Sequence, residues 1–307
     1  MAIQTVLRYP GAKWKAWEQI KPLIPRDIKD WREPFLGGGS ISLLVADDIE
    51  FNLERMVVGD LASEVWAFWQ GCKLYADEVV KKVEEIYKGI CVNKMRLDEM
   101  SKTDEEYNKV YELALDEGRR LWEWCRNVDI SQMNLVERAA RMFIVNRISF
   151  SAMGDSGTLS VDNYLGFRLD KTERILQAQP LLQKMEILNC SFEYTMADVD
   201  KDKTFIFLDP PYMNQEKSGL YGVNGNTHKG FPHEKLASLL KEIPCRWLMT
   251  YDDSIGVRRL YRDFYIKPFK IVYTMAMRPA EDALAGEEVF IANYNINDKV
   301  DNIYDLL

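Results

Sequence analysis

The chain has 307 residues, 47% of them hydrophobic, enough for one large core or for a main domain with a smaller companion. A formal net charge of −8 argues against a surface coated with nucleic-acid-binding charge, and no apolar run approaches the roughly 20 residues needed to cross a bilayer. Without a basic-then-apolar leader pattern either, the expectation is a cytoplasmic protein. The five cysteines (Cys72, Cys91, Cys125, Cys190 and Cys245) are odd in number and never spaced Cys-x-x-Cys, so neither a disulfide framework nor a zinc site is expected.

Taken in chain order, residues 31–35 read as a strand that meets Gly37-Gly38-Gly39-Ser40 before an apolar helix at 41–46. A second strand, 55–59, ends at Asp60 and leads into residues 61–72. The texture then changes: residues 78–126 are charged and rich in helix formers, with Val79, Val83, Ile86 and Ile90 at helical spacing. This helical stretch continues through 135–148 and gives way to a polar, glycine-containing segment, 149–166, suited to a hairpin or loop. Residues 204–208 form a continuous apolar run of the buried-strand type ending at Asp209. A helix over 233–240 and strands at 246–250, 270–275 and 289–294 complete the pattern. The alternation predicts an α/β fold, a doubly wound sheet with helices on both faces, interrupted by a mainly helical insertion. The expected division is a discontinuous main domain, 1–72 and 167–307, with the insertion at 73–166.

Two corners carry chemistry. In Glu33-Pro34-Phe35-Leu36-Gly37-Gly38-Gly39-Ser40, glycines let the backbone turn sharply before a helix N-terminus whose free N–H groups suit a nucleoside-type cofactor. Asp60 follows about 20 residues later, the spacing at which a carboxylate takes ribose hydroxyls in such folds. The second corner is Asp209-Pro210-Pro211-Tyr212 at the end of a strand. An adenine amino nitrogen is a weak nucleophile because its lone pair is delocalised into the ring. A carboxylate and a carbonyl that accept its two hydrogens favour the pyramidal nitrogen that attacks a methyl group. Asp209 and the Pro210 carbonyl fit those roles, the prolines hold the loop rigid, and Tyr212 offers a face to a base drawn out of the duplex.

The order Leu7-Arg8-Tyr9-Pro10-Gly11-Ala12-Lys13, then 33–40, Asp60 and Asp209-Pro210-Pro211-Tyr212 resembles the Dam-type family of DNA adenine methyltransferases. The similarity extends to 143–147, to the loop 221–232 and to 288–294, and is weakest in the helical insertion. It implies a Rossmann-like methyltransferase sheet with an inserted helical target-recognition domain. It also implies an adenine-N6 methyltransferase that acts on double-stranded DNA, converts S-adenosylmethionine to S-adenosylhomocysteine and needs no metal. Tyr9, Gly11, Lys13, Pro34, Phe35, Gly37, Gly39, Ser40, Asp60, Phe192 and Asp209 are the cofactor-binding residues it implies. Asp209, Pro210, Pro211 and Tyr212 are the catalytic ones. A restriction endonuclease of the same system is a candidate partner, and the expected state is a monomer. The chain departs from the family where Trp-Ala-Gly-Gly-Lys becomes Tyr9-Pro10-Gly11-Ala12-Lys13 and where an Asp-Phe pair becomes Ser191-Phe192. In place of a basic segment it has Met153-Gly154-Asp155-Ser156-Gly157, so the target sequence does not carry over.

Residues 119–147 hold six arginines against three acids, a local basic excess within an acidic chain. Arg147 is the candidate phosphate contact there, weighed against a helix-surface salt bridge, with Asn146 beside it and Lys229 in the later loop as further DNA candidates. Pro244-Cys245 has the form of a nucleophilic dipeptide used on cytosine carbon, but it precedes an apolar run and reads as a core cysteine. The two histidines, His228 and His233, do not make a metal site by themselves. Methylation of RNA or of a cytosine amino group, and an inactive DNA-binding relative, are the alternative functions. Motif order and the intact Asp209-Pro210-Pro211-Tyr212 stand against them.

Overall fold

A computed structural model describes residues 5–9, 11, 13–150, 157–213, 230–272 and 285–297. After a 3-10 turn at Lys13–Ala16 come α1 (Trp17–Ile20), β1 (Asp30–Glu33), α2 (Ser40–Asp47) and β2 (Arg55–Asp60). Helices α3 (Ser63–Ile90), α4 (Val92–Glu99), α5 (Tyr107–Asn127), α6 (Leu135–Ile148), α7 (Val161–Gly166) and α8 (Glu173–Leu182) follow. The chain then returns to the sheet with β3 (Glu186–Asn189), α9 (Phe192–Thr195) and β4 (Thr204–Leu208). It ends with α10 (His233–Glu242), β5 (Arg246–Asp252), α11 (Ile255–Leu260), β6 (Tyr265–Val272) and β7 (Ala285–Ala292).

The strands pair in the order β3-β2-β1-β4-β5-β7-β6. Neighbours from β3 to β5 are parallel, whereas β7 runs antiparallel to both β5 and β6. The sequence order reverses beside β1, which has β2 on one flank and β4 on the other. In doubly wound sheets the crevice at the carboxyl ends of such strands is where ligands bind. Gly37 to Gly39 follow β1, Asp60 ends β2 and Asp209 follows β4, so the chemistry-bearing corners emerge together at this edge.

Alternation along β4 divides the core in two. Phe205 and Phe207 join a cluster with Trp31, Phe68 and Phe143, while Ile206 and Leu208 join one with Leu236, Leu240 and Tyr251. Both faces are therefore covered, by α2, α3, α6 and α8 on one side and by α9, α10 and α11 on the other. That is why all five residues of β4 are apolar or fully buried. Trp31 stacks on Phe205 and Phe207 at centroid distances of 5.7 and 6.1 Å, and its indole N–H donates to Ser42 Oγ at 2.8 Å. This contact fixes α2 against β1. Rings of this size contribute about 2–3 kcal/mol each through burial, so the strand pair is a rigid platform for the loops above it.

The helical stretch shares this core. The α3 range runs across position 72 and is broken at Tyr75 (φ −142°, ψ 45°), where two helical segments meet at a kink just past the expected boundary. Val79, Val83 and Tyr87 of α3 belong to the same buried cluster as Trp31 and Phe205. Gly71 permits the close crossing of α3 and α6, because a Cβ there would lie 2.6 Å from Ala139 Cβ. A smaller cluster, Leu97, Val110 and Ala114, joins α4 to α5, and the buried Glu117 accepts the Asn93 and Lys94 backbone N–H groups at the start of α4. Residues 149–166, expected as hairpin or loop, begin with an antiparallel bridge between Ser149 and Leu159 and end in α7, with 151–156 outside the described residues. No helix among the described residues is long and apolar enough to cross a membrane.

Candidate active site

The N-terminal motif enters the site through a clamp. Buried Asn146 of α6 accepts the Arg8 backbone N–H at 2.9 Å and donates to the Arg8 carbonyl at 2.6 Å, while Arg147 donates to the Val6 carbonyl. Arg8 in turn donates to the Arg147 carbonyl at 3.2 Å. Residues 5–9 lie outside the regular strands and helices, and buried backbone groups there need such partners. This placement corrects the expectation of a surface phosphate contact: Arg147 is 7% exposed and Asn146 fully buried. Burial, then the nearby Arg174 and Arg8, bring the Arg147 guanidinium down to about 10.

Beyond the clamp the chain turns at Gly11 (φ +75°), a conformation that favours glycine. The turn presents the Gly11 carbonyl to the Lys13 ammonium at 2.7 Å. Lys13 is 2% exposed, and a buried ammonium needs charged partners. It finds Asp209 Oδ1 at 3.1 Å and Glu288 Oε2 at 3.7 Å, and lies 4.9 Å from the Tyr212 ring centroid.

Tyr9 packs on the glycine loop. Gly37 and Gly39 take positive φ (45° and 63°), and a Cβ at Gly38 would lie 2.7 Å from Tyr9 Cβ. Asp60 braces this loop from β2, its two oxygens accepting the Gly37 and Ala62 N–H groups at 2.8 Å each. Burial pushes its carboxyl up to about 6 against the pull of those two bonds. Glu33, at the end of β1, is pushed up to about 8, chiefly by burial and further by the charges of Asp209 and Asp60, while its bonds from Ser42 pull the other way. Ser40 opens α2 directly behind Gly39, and Pro34 is buried beneath the loop.

Asp209 is the centre of a converging network. Its Oδ1 accepts from Thr250 Oγ1 at 2.8 Å and lies 3.2 Å from the Tyr212 hydroxyl as well as 3.1 Å from Lys13. The side chain retains 24% exposure, so it faces both the network and the crevice. Tyr212 donates to Glu288 Oε2 at 2.8 Å, and its ring stacks on Tyr251 with centroids 5.4 Å apart. The Tyr251 hydroxyl donates to the Pro211 carbonyl at 3.3 Å and is hydrogen-bonded to His233 Nδ1. Thus the Asp209-Pro210-Pro211-Tyr212 corner is held from β5, β7 and α10.

Phe35, Phe192 and Phe231 form a three-ring cluster with centroids 5.6–5.8 Å apart. Phe192 therefore packs on Phe35, which precedes the glycine loop, and on Phe231. Glu33, Phe231 and Glu288 fall in segments already read from the sequence without a role of their own, and Thr250, Tyr251 and His233 join them around this corner. Lys229 lies outside the described residues. Of the remaining arginines in 119–147, Arg138 pairs with Glu64 and Arg141 donates to the Cys125 carbonyl at 2.6 Å, whereas Arg119, Arg120 and Arg126 are exposed on α5. Cys245 is buried and its thiol pushed up to about 12 by burial, which suits a core cysteine and not a thiolate nucleophile. Among the described residues no cluster of histidine, cysteine and acidic side chains is arranged to hold a metal.

Comparison with known proteins bears on this arrangement directly. The chain is similar to the type II methyltransferase M1.LlaDCHI of Lactococcus lactis subsp. cremoris, 23% identical over 302 residues that cover 94% of each protein. It is similar to the type II methyltransferase M.MjaIII of Methanocaldococcus jannaschii, 22% identical over 72% of this chain and 73% of the relative. A DNA adenine methylase of Haemophilus influenzae is 22% identical over 93% of this chain and 92% of its own. Residues 9–278 match the family described as D12 class N6 adenine-specific DNA methyltransferase. A match running from Tyr9 past the Asp209-Pro210-Pro211-Tyr212 corner makes the chain a member of the D12 class of N6 adenine-specific DNA methyltransferases.

Proposed function

We propose that this adenine-specific DNA methyltransferase takes its methyl group from S-adenosylmethionine and delivers it, at a defined sequence, to an adenine turned out of the duplex. The observation that carries the reading is Asp209, partly exposed at the switch point of the sheet and oriented by Thr250 and Lys13. The residues around it fit the cofactor. Asp60, already braced by two N–H groups, is the acceptor for ribose hydroxyls, and the cluster of Phe35, Phe192 and Phe231 offers apolar faces to an adenine ring. Asp209 and Glu288 flank the buried Lys13, and Glu33 feels the charges of Asp209 and Asp60, so four acids gathered here favour a cationic ligand. When bound there, the cofactor supplies an electrophilic methyl group on a positively charged sulfur.

Asp209 and the Pro210 carbonyl accept the hydrogens of the amine and aim its lone pair. The Tyr251 hydroxyl fixes the adjoining Pro211 carbonyl, and Tyr212, backed by Tyr251, is the stacking face for the extruded base. The insertion, 73–166, serves as the target-recognition part, with phosphate contacts assigned to Arg119, Arg120 and Arg126 and to the loop bearing Lys229. Asn146 and Arg147 act on DNA indirectly, by holding the segment that carries Tyr9. Two of the relatives are named type II methyltransferases, and we extend to this chain the expectation of a restriction endonuclease with the same target.

Incubation with unmethylated DNA and methyl-labelled S-adenosylmethionine, followed by digestion to nucleosides, tests the reading. Label is expected in N6-methyladenine, and sequencing of the modified DNA identifies the target. Label in N4-methylcytosine, or none in DNA, overturns it.

A further inference from the structure

We propose that Glu288 is the terminal proton acceptor of the methyl-transfer reaction, reached from Asp209 through the hydroxyl of Tyr212. The proposal rests on the function proposed above. Its foundation is a hydroxyl with one proton and two carboxylates in reach: Tyr212 lies 2.8 Å from Glu288 Oε2 and 3.2 Å from Asp209 Oδ1. The shorter bond directs the tyrosine proton toward Glu288. The tyrosine oxygen is then free to accept from Asp209 whenever Asp209 itself holds a proton.

Glu288 is built for that end of the chain. It sits on β7, 2% exposed, opposite Asp252 of β5 and Phe269 of β6. The charged and titratable groups around it are Lys13 from the N-terminal turn, Asp209 and Tyr212 from the corner after β4, and Asp252. Among the described residues its second oxygen, Oε1, is buried without a hydrogen-bond partner. A buried carboxylate with an unused oxygen is costly while charged, and gaining a proton removes that cost. Burial raises the Glu288 carboxyl to about 7, with Lys13 pulling it down and Asp209 pushing it up, so it can both hold and release a proton near neutrality.

Methyl transfer leaves the exocyclic nitrogen cationic, with one proton too many. As the methyl arrives, the N–H bond breaks, its electron pair returns to nitrogen, and the proton forms an O–H bond on Asp209. That proton passes to the Tyr212 oxygen while the original tyrosine proton passes to Glu288. Asp209 is again a carboxylate, Tyr212 is again a phenol, and Glu288 carries the single proton until it is lost to solvent. Lys13, bridging both carboxylates, offsets their charge before and after the transfer.

Glu288 acts through Tyr212, so the test must separate proton acceptance from mere bracing. Single-turnover methylation of unmethylated DNA should accelerate in the unaltered enzyme as pH rises toward neutrality, with its midpoint at or below the value of about 7 for the cofactor-free protein, because the cationic cofactor favours the charged carboxyl. Glu288→Gln and Tyr212→Phe should each lower that rate about 10-fold or more and flatten its pH dependence, in line with the loss of a general base. Binding of S-adenosylmethionine, measured by calorimetry, should persist in both. Infrared titration of the cofactor-free protein gives a second reading. The difference between the unaltered protein and Glu288→Gln should contain a carboxylic acid C=O band that fades as pH rises through about 7, apart from the bands of Glu33 and Asp60 common to both. A slower variant that keeps the unaltered pH profile, or the absence of that band, overturns the proposal. Methyl label on a base other than adenine would instead count against the function, leaving the titration to judge Glu288.

Discussion

His233 and Tyr251 show how a rigid corner is made from residues far apart in the chain. The Tyr251 hydroxyl has one proton to give to the Pro211 carbonyl or to His233 Nδ1, so the histidine tautomer decides which of the two bonds it donates. Phe231 packs edge-on against the imidazole at 4.9 Å, locking its orientation. Replacing His233 by Ala is therefore expected to lower kcat about 10-fold while leaving cofactor affinity within about 2-fold, because the reacting groups are misplaced without being removed. His233→Gln, whose amide can either donate or accept, should recover part of the rate. Steady-state kinetics with calorimetry on both variants checks this, and equal loss of cofactor affinity would make His233 a general structural residue. Asp209→Ala, by contrast, removes the acceptor itself. A drop of about 100-fold or more in transfer rate with an unchanged circular dichroism spectrum is expected, and near-normal turnover would remove Asp209 from its assigned role.

At the scale of elements, the clamp between α6 and residues 5–9 decides whether the N-terminal motif stays in the site. Arg147→Ala deletes a buried, charge-assisted bond to the Val6 carbonyl and leaves that carbonyl without this partner. A loss of about 2 kcal/mol or more in unfolding free energy is expected, with no change in the salt dependence of DNA affinity. Chemical denaturation and salt titration of binding read the two separately, and a stable variant with a shallower salt slope would return Arg147 to phosphate contact. The basic excess of 119–147 was legible in the sequence, but which arginines were already bound to Val6, Cys125 and Glu64 depended on how α3, α5 and α6 pack. β4 was legible because a strand covered on both faces must be apolar throughout. β6 was placed some five residues late, since Pro268 interrupts its pattern. Proline is tolerated there because β6 is an edge strand with β7 as its one partner. The expected division at 72 lies just before the kink at Tyr75, where two helical segments of α3 meet. The glycine loop, Asp60 and Asp209-Pro210-Pro211-Tyr212 could be read as contiguous motifs. Thr250 could not, and Glu288 was legible only as the start of a similar segment, because only the pairing of β5 with β4 and β7 brings them to Asp209.

For the whole molecule, the site concentrates acids in a core that would be more stable without their charges. Glu33, Asp60 and Glu288 stand at about 8, 6 and 7 in the folded protein, above their ordinary values of 4.5, 3.8 and 4.5. A carboxyl raised by folding holds its proton more tightly in the folded state, so its contribution to stability is complete below about pH 4. That contribution is lost as pH rises through the folded value. These three groups therefore make the cofactor-free protein progressively less stable between about pH 4 and pH 8. Surface acids such as Asp48 and Asp253, whose carboxyls are lowered by Lys21 and Arg258, act in the opposite direction but only in more acid solution. Glu33 has the largest shift, and each unit corresponds to about 1.4 kcal/mol, so Glu33→Gln is the informative variant. Its amide oxygen can still accept from Ser42 while carrying no charge to be buried. Thermal unfolding across pH 5.5 to 8.5 should show the unaltered protein losing stability as pH rises and Glu33→Gln losing distinctly less, with the two closest at the acid end. A cationic ligand placed among the same carboxyls favours their charged forms, so cofactor binding near pH 7 should release protons, seen as a dependence of calorimetric heat on buffer ionisation enthalpy. Parallel pH–stability curves for the two proteins would show that Glu33 is already charged in the fold, and would remove it from the electrostatic frame that the site sets around its ligand.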